Sequence, residues 1–199
     1  MNSNQIVSDA ELIRRYKGGD ARAFERLVQR YNRPLTGYLR RMITDRIAAD
    51  DLFQETFLKV VKALPRYRED GKFSSWLFGI ANHVAIDYLR KQKRIKSHMK
   101  TDTIEKNDEE PVEYEDVNSP LPDQEFDRSE LKTLLKQAVG KLPVEQKQVL
   151  LLRQYSGMSF KEIAEKVNCP LNTVLGRMRY ALINLKKIMQ SEFGDYHVM

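Results

Sequence analysis

The sequence predicts an all-α protein in which two small helical domains are joined by a flexible acidic linker. Apolar residues recur at helical spacing in two long stretches of the 199-residue chain, and no alternating strand pattern of useful length competes with them. An acidic segment that contains prolines separates the two stretches. The predicted boundaries are residues 1–96 for the first domain, 97–129 for the linker, 130–191 for the second domain and 192–199 for a tail.

Helix signals follow one another through the first domain. The residues from Ser8 to Glu11 fit a capping box, in which a hydroxyl and a carboxylate satisfy free backbone donors, and they predict a helix up to Lys17. Two glycines end that helix, Asp20 can cap the next, and Pro34 is expected to interrupt or kink it. The apolar positions that predict these helices are Phe24, Leu27, Val28, Tyr31, Leu35, Leu39, Met42, Ile43, Leu52, Phe53, Phe57, Val60, Val61 and Leu64.

An acidic patch is predicted on the helix that contains "DDLFQETF". Asp51, Gln54 and Glu55 lie outward there on an otherwise basic protein. Paired carboxylates can indicate a metal site or acid–base catalysis, but no histidine or glycine-rich loop joins them in this stretch. A solvated helix face or a surface that docks a protein is therefore favoured.

The stretch from Lys72 to Arg94 contains Trp76, the only tryptophan of the chain. At about 100° per residue, one stripe of this helix is apolar and belongs to the core. A neighbouring flank can stack on an unpaired base and hold its phosphates, as single-strand binders do. The alternative is that Trp76 completes the core and the basic end is merely solvated. The stripe contains Phe73, Leu77, Ile80, Ala81, Val84 and Tyr88, and the flank contains Trp76, His83, Asp87, Arg90 and Arg94.

The charge of the chain is unevenly distributed. Residues 101–127 contain eleven acidic side chains and one lysine, so this segment carries −10 and cannot bury enough apolar surface to fold alone. Because the whole chain carries +6, the remainder carries +16. Two basic helical parts joined by an acidic tether favour a polyanionic partner.

Cysteine usage and hydropathy point to the cytoplasm. Cys169 is the only cysteine, which excludes an intrachain disulfide and a metal cage built from cysteines. The first residues lack a secretory pattern, and no run of about 18 apolar residues occurs. We therefore expect a cytoplasmic protein that does not insert into a membrane.

The most specific local motif is the segment "SFKEIAEKVNCPLNTVLGRMRYAL", which has the layout of a helix-turn-helix. Ile163 and Ala164 face inward on the first helix, Asn168 tolerates the left-handed turn, and Val174 and Met178 face inward on the second helix. The second helix is expected to enter a major groove. A helical hairpin with solvated arginines is the alternative. The outward residues are Asn172, Thr173, Leu175, Gly176, Arg177, Arg179 and Tyr180.

Taken together, these segments resemble a bacterial sigma factor of RNA polymerase, of the extracytoplasmic-function (ECF) type. Residues 9–94 are similar to sigma domain two, and residues 130–189 are similar to sigma domain four. A lone helix-turn-helix is a weak signal. Its combination with "DDLFQETFLKV" and "FSSWLFGIANHVAIDYLRKQKR" is highly specific.

The resemblance implies a subunit that binds core RNA polymerase, through the β′ clamp coiled coil and the β subunit, and directs promoter-specific initiation. It implies that promoter DNA is read at the minus-thirty-five and minus-ten elements and melted at the latter. It implies no catalytic residue, no cofactor and no metal, and the family often has an anti-sigma factor as a further partner.

The resemblance also implies three sets of site residues, and it leaves both Asn82 and His83 as candidates for reading the minus-ten strand. The polymerase-binding set is Asp51, Leu52, Phe53, Gln54 and Glu55. The minus-ten set is Lys72, Phe73, Ser74, Trp76, Asn82, His83, Arg90, Lys91 and Arg94. The minus-thirty-five set is Lys161, Asn172, Thr173, Leu175, Gly176, Arg177, Arg179 and Tyr180.

Two other functions are weighed against this one. A stand-alone regulator would bind an operator as a dimer without polymerase, and it would leave the acidic patch and the Trp76 flank unexplained. An enzyme acting on nucleic acid would need a phosphate-binding glycine loop, zinc-ligand spacing or a nucleophile elbow, and none of these is found. In the linker, we expect the carboxylates of residues 101–127 to mimic nucleic acid in polymerase channels, with a soluble spacer as the alternative.

Overall fold

The computed structural model describes residues 7–99 and 123–193, which we call the N-terminal and C-terminal domains. Every regular element in these two ranges is helical, so the predicted all-α class with two helical domains is confirmed. Residues 100–122 lie outside the described residues, and the role expected for the acidic linker stays a prediction. The elements are α1 (Asp9–Lys17), α2 (Ala21–Met42), α3 (Arg46–Ala63), a 3-10 turn (Leu64–Arg66), α4 (Phe73–Met99), α5 (Asp123–Gly140), α6 (Val144–Ser156), α7 (Phe160–Val167) and α8 (Leu171–Phe193).

The capping residues at the start of α1 differ in one respect from the predicted capping box. Ser8 accepts a hydrogen bond from the backbone N–H of Glu11 at 3.2 Å. The Glu11 carboxylate pairs with Arg14 and Arg15 in the following turn instead of closing the capping box. Two guanidinium groups offer stronger, charge-assisted hydrogen bonds than one backbone N–H does.

Pro34 does not interrupt α2, which continues from residue 21 to residue 42. A proline inside a helix removes one backbone hydrogen bond. The helix persists because its residues on both sides of Pro34, Tyr31 and Leu35, are buried in the core. Tertiary packing therefore overrides the local signal at this position.

The N-terminal core forms where α2, α3 and α4 meet. The apolar stripe predicted on α4 is buried as expected, with Ile80 and Tyr88 at its half-buried edge. Tyr38 of α2 and Phe78 of α4 are fully buried, and their rings meet edge to face with centroids 5.5 Å apart. This packing fixes α4 against α2 and determines which flank of α4 faces outward.

The C-terminal domain contains the predicted helix-turn-helix, formed by α7 and α8. Ile163 and Val174 are fully buried between the two helices, and Ala164 is 8% exposed. Asn168 adopts the left-handed conformation at φ 50° and ends α7 as predicted. Beyond this pair, α5 and α6 pack against α8.

The two domains also pack against each other. Helix α6 lies against α2 and α4, and the buried apolar residues of both domains form one continuous cluster. Val149 and Leu152 of α6 are fully buried in this cluster. The chain is therefore closed over the face of α4 that lies next to α6, an arrangement that the sequence does not predict.

Candidate nucleic-acid interface

The aromatic residues at the start of α4 form a stacked group. The Trp76 ring lies 4.5 Å from the Tyr67 ring and 5.7 Å from the Phe73 ring, measured between centroids. Phe73 is 2% exposed and meets Tyr31 edge to face. Trp76 is half-buried, because one side of its ring packs on Tyr67 and Phe73 and the rest faces solvent. Its role in stacking on an unpaired base stays a prediction.

Asn82 and His83 have opposite environments although they are neighbours on α4. Asn82 is 3% exposed, and its Oδ1 accepts hydrogen bonds from the Tyr38 hydroxyl at 3.2 Å and from Gln148 Nε2 at 2.9 Å. His83 is exposed, with its Nδ1 2.8 Å from the Gly79 carbonyl oxygen. Of these two neighbours, therefore, only His83 faces solvent.

The far end of α4 carries a basic surface. Arg90, Lys91 and Arg94 are exposed, and Asp87 lies 3.9 Å from Arg90 as a weak ion pair. Guanidinium and ammonium groups held on a rigid helix suit the phosphates of a nucleic acid. The helix thus places aromatic, imidazole and cationic groups along one exposed flank.

The helix-turn-helix begins with a capping box, which is absent from the sequence-based predictions above. The Ser159 side chain accepts from the Glu162 backbone N–H at 3.2 Å, and the Glu162 carboxylate accepts from the Ser159 backbone N–H at 2.9 Å. The sequence pattern Ser-x-x-Glu was a usable signal for it. This box fixes the start of α7 and hence the orientation of α8.

The outward face of α8 presents most of the residues predicted to read a major groove. Leu175 is 42% exposed, Tyr180 is 59% exposed, and a Cβ atom added at Gly176 would meet open space. Arg177 differs from the rest because it is half-buried and lies 3.7 Å from the Cys169 sulfur. The other predicted residues, which are all exposed, are Lys161, Asn172, Thr173 and Arg179.

The acidic patch on α3 has apolar neighbours. Asp51, Gln54 and Glu55 are exposed, and Glu55 pairs with Lys59 at 2.9 Å. Ile47 is 77% exposed and Leu58 is 61% exposed. At helical spacing, these two side chains lie at either end of the acidic patch, on the same face. We call Ile47, Asp51, Gln54, Glu55 and Leu58 the α3 face.

Two of the predicted polymerase-binding residues point away from the α3 face. Leu52 is 6% exposed, and Phe53 is half-buried with its ring 5.1 Å from the ring of Phe57. They support the helix from the core side. Ile47 and Leu58 were missed in the sequence because an apolar residue at helical spacing is ordinarily read as core.

An ion pair between Lys72, which precedes α4, and Glu162, in the helix-turn-helix, shifts the pKa values of both side chains. The Lys72 ammonium, 2.9 Å from the Glu162 carboxylate, lowers the pKa of Glu162 to about 2, and the hydrogen bonds from Ser159 act in the same direction. The same pairing raises the pKa of Lys72. Burial lowers the pKa of Lys147, whose ammonium donates to the Gly140 carbonyl at the end of α5.

No helix in residues 7–99 and 123–193 is long and apolar enough to span a bilayer. In the same ranges, no group of three His, Cys, Asp or Glu side chains is arranged to hold a metal ion.

The fold and these surfaces define a class: a two-domain helical protein with a helix-turn-helix in one domain and an aromatic, basic helix in the other. Family models identify it further. The model described as Sigma-70 region 2 matches residues 27–95, and the model described as Sigma-70, region 4 matches residues 132–182.

Two curated relatives are similar in sequence to this chain over most of its length. The RNA polymerase sigma-H factor of Pseudomonas aeruginosa is 31% identical over 92% of this chain and 94% of its own length. The ECF RNA polymerase sigma-E factor of Haemophilus influenzae is 32% identical over 86% of this chain and 90% of its own length.

Solved structures share the fold. CnrH, in complex with the cytosolic domain of CnrY, matches with a TM-score of 0.62 and 24% identity over 92% of this chain and 98% of its own. The sigma factor RpoE of Bartonella quintana, in complex with the anti-sigma factor NepR, matches with a TM-score of 0.63 and 20% identity over 85% of this chain and 98% of its own.

The chain therefore belongs to the sigma-70 family, in its ECF group. It is a sigma factor that directs promoter-specific transcription initiation by RNA polymerase. The family consists of regulatory factors rather than catalysts.

Proposed function

We propose that this sigma factor is a dissociable, non-enzymatic subunit that docks on core RNA polymerase with α3, reads the minus-ten element with α4 and reads the minus-thirty-five element with α8. It works in the cytoplasm, where the polymerase transcribes. The observation that carries the proposal is that one chain presents three exposed surfaces of different chemistry. They are the acidic and apolar α3 face, the aromatic and basic flank of α4, and the outward face of α8.

The α3 face is proposed to dock on the β′ clamp coiled coil. Carboxylates at the centre of the face provide charge complementarity to a basic surface, which increases the rate and specificity of association. Exposed Ile47 and Leu58 provide apolar area that becomes buried on docking. A nucleic acid would be repelled by Asp51 and Glu55, so a protein partner is favoured for this face.

Docking is tested with Leu58→Ala and sigma-free core polymerase in a fluorescence anisotropy titration. Removing an apolar anchor from an interface costs about 1 kcal/mol or more, so affinity should fall roughly fivefold to tenfold. Ile95→Ala is the matched control, because Ile95 is 42% exposed but lies on α4. Equal affinities of the two variants would exclude the α3 face as the docking site.

The minus-thirty-five element is proposed to be read by the first turns of α8. Asn172 and Thr173 can hydrogen-bond base edges, and the apolar Leu175 side chain suits the methyl group of thymine. Arg179 is exposed and free to reach a phosphate, whereas Arg177 must first leave the Cys169 sulfur. Arg179→Ala should weaken binding to all sequences nearly equally, while Thr173→Ala should relax selectivity.

The minus-ten element is proposed to be read and melted by α4. Unstacking a base costs a few kcal/mol, which stacking on an aromatic ring and contacts to phosphates can offset. Trp76 supplies the ring, and Arg90, Lys91 and Arg94 supply the charges. Phe73 acts indirectly, since it is buried beneath Trp76 and holds that ring in place.

The decisive experiment measures transcription from a promoter library with core polymerase, the protein or both, beside DNA binding by the protein alone. Transcripts that require both components, with start sites sharing two upstream elements, are the expected result. Tight, sequence-specific binding without polymerase, together with no transcripts, would instead support the stand-alone regulator.

An anti-sigma factor is a further partner that we propose for this chain. The RpoE structure of similar fold contains such a factor, although that likeness by itself shows only the fold. Co-expression with a cognate anti-sigma factor should lower transcript yield without changing the start sites.

A further inference from the structure

The ring on which Trp76 packs belongs to a residue outside the three proposed sites. Tyr67 directly follows the 3-10 turn, and its ring lies 4.5 Å from the Trp76 ring and 5.8 Å from the Phe73 ring, measured between centroids. The Tyr67 hydroxyl is buried and makes no hydrogen bond to the described residues. The ring therefore has no polar anchor of its own, and its position depends on the backbone that carries it.

That backbone is held from a different helix. The ammonium group of Lys17, the last residue of α1, donates a hydrogen bond to the Tyr67 carbonyl oxygen at 2.6 Å. A cationic donor makes a stronger hydrogen bond than a neutral one does. The two residues are 50 positions apart along the chain, so this bond fixes the start of the loop formed by residues 67–72 relative to α1.

Two carboxylates of this loop accept hydrogen bonds from backbone N–H groups two positions further on. Glu69 accepts from Gly71 at 2.7 Å, and Asp70 accepts from Lys72 at 3.1 Å. Gly71 has a φ of 78°, in the left-handed region that favours glycine. These bonds determine the local shape of the loop, but they do not connect it to another helix, as the bond from α1 does.

We infer that Lys17 is a positioning residue for minus-ten reading. Through the Tyr67 carbonyl it fixes the ring that packs on Trp76, and it thereby determines how the exposed side of Trp76 is presented to an unpaired base. Such a ring must be held in place before the base arrives, because ordering a loose side chain on binding costs affinity. The inference rests on the proposed role of α4, whereas the contact between Lys17 and Tyr67 does not.

The surroundings of Lys17 allow this bond to be removed without disturbing the core. Lys17 is exposed. The open crevice beside it is lined by Tyr16, Gly19, Ala21 and Pro65. Lys17→Met keeps a side chain of similar length and removes the donor. Because the crevice is open to solvent, water can then satisfy the Tyr67 carbonyl oxygen.

Two further variants serve as controls. Arg15→Met removes an equal charge from the same turn of α1, but the Arg15 guanidinium pairs with Glu11 of its own helix. Lys17→Arg keeps a cationic donor for the carbonyl oxygen, so it should behave as the wild type does. All three variants should unfold at nearly the same urea concentration as the wild type, since exposed substitutions change stability little.

The first readout is the fluorescence of Trp76, which is the only tryptophan of the chain, so the signal reports on this ring alone. In Lys17→Met we expect emission at longer wavelength and stronger quenching by acrylamide, because a loosened Tyr67 ring uncovers Trp76. Arg15→Met and Lys17→Arg should match the wild type. In a Tyr67→Ala background, Lys17→Met should have no further effect. An unchanged spectrum of Lys17→Met, or an effect of the same size without the Tyr67 ring, would overturn the inference.

The second readout is binding of the assembled holoenzyme to a fluorescein-labelled single strand that carries the minus-ten sequence defined by the transcription experiment. Lys17→Met should weaken this binding about threefold to tenfold, the loss expected for one exposed hydrogen bond from a charged group. Lys17→Arg should restore it, and Arg15→Met should leave it unchanged. The affinity for core polymerase should be the same for all three variants.

Trp76→Ala separates this inference from the proposed function. If Trp76→Ala binds the single strand as tightly as the wild type does, the role of α4 in minus-ten reading is overturned, and the inference with it. If Trp76→Ala binds weakly and Lys17→Met binds normally, the inference alone is overturned. Weak binding by both variants, with recovery in Lys17→Arg, supports both.

Discussion

Replacing Gln148 with Met tests whether the two domains meet in solution through one hydrogen bond. Methionine has a similar length and volume, so it keeps the packing of α6 and removes only the amide that donates to Asn82 at 2.9 Å. The Asn82 oxygen keeps its second donor, the Tyr38 hydroxyl at 3.2 Å. The variant therefore leaves no buried acceptor without a partner.

The expected magnitudes follow from this geometry. Gln148→Met should lower the free energy of unfolding by about 0.5 to 1.5 kcal/mol, the net value of one hydrogen bond. Asn82→Ala should cost more, about 2 to 4 kcal/mol, since it leaves the buried Tyr38 hydroxyl and the Gln148 amide unpaired and removes side-chain volume. The double variant should cost about 1 kcal/mol less than the two single costs together, because the Gln148 amide is then absent.

The assay is urea unfolding of the wild type, both single variants and the double variant, followed by circular dichroism at one protein concentration. Because the buried cluster is continuous between the domains, we expect one cooperative transition. The coupling energy is read from the four midpoints at a common slope. Costs that add within about 0.3 kcal/mol would refute the reasoning, since residues that do not meet behave independently.

Three further predictions concern the helix-turn-helix. Glu162→Gln should lower the free energy of unfolding by about 0.5 kcal/mol at pH 7, a small value because Lys72 is 58% exposed. The pKa of Glu162 is lowered to about 2, so the stability that its carboxylate provides is complete above about pH 4.5 and is lost as the pH falls toward 2. Urea titrations measure the difference in the free energy of unfolding between the wild type and Glu162→Gln. A difference that stays constant between pH 7 and pH 3 would contradict this prediction. Asn168→Val should lower the free energy of unfolding by about 1 to 2 kcal/mol, because φ is 50° at this position and a β-branched residue is strained there, whereas Asn168→Gly should change it little. Thermal unfolding of both variants measures this difference. A valine variant as stable as the wild type would contradict the left-handed turn. Ala164→Leu should cost about 1 to 3 kcal/mol by overpacking the contact between α7 and α8, and unchanged stability in the same thermal assay would show that the helices are not this close.

Local signals in the sequence were sufficient for most of the fold. The glycines after Lys17, the acceptor at Asp20 and the turn at Asn168 each act within a few residues, and each ends or begins a helix where expected. The apolar stripe of α4 was predictable for the same reason, since periodicity alone determines which face is buried. Pro34 does not interrupt α2, because packing against distant residues keeps the helix continuous.

The sequence predicted which kinds of residue form the candidate site, but it did not predict which of their side chains are exposed. The sequence indicates that α4 and α8 carry nucleic-acid-binding residues, but it does not show that the Arg177 side chain turns toward Cys169. It also passes over Ile47 and Leu58, because helical spacing assigns apolar residues to a core whether or not a neighbouring helix covers them. Exposure depends on which elements meet, and this is a property of the assembled chain.

By itself, the sequence determined the helical class, the division into two basic domains with an acidic segment between them, and the family. Each of these is encoded in short patterns of apolar spacing, charge and capping residues that are read without knowing what lies opposite. Only the tertiary structure decided that Asn82 is covered while its neighbour His83 is exposed. Asn82 accepts hydrogen bonds there from Tyr38 and from Gln148, which is 66 positions away along the chain, and no local pattern specifies a contact between residues so far apart in sequence.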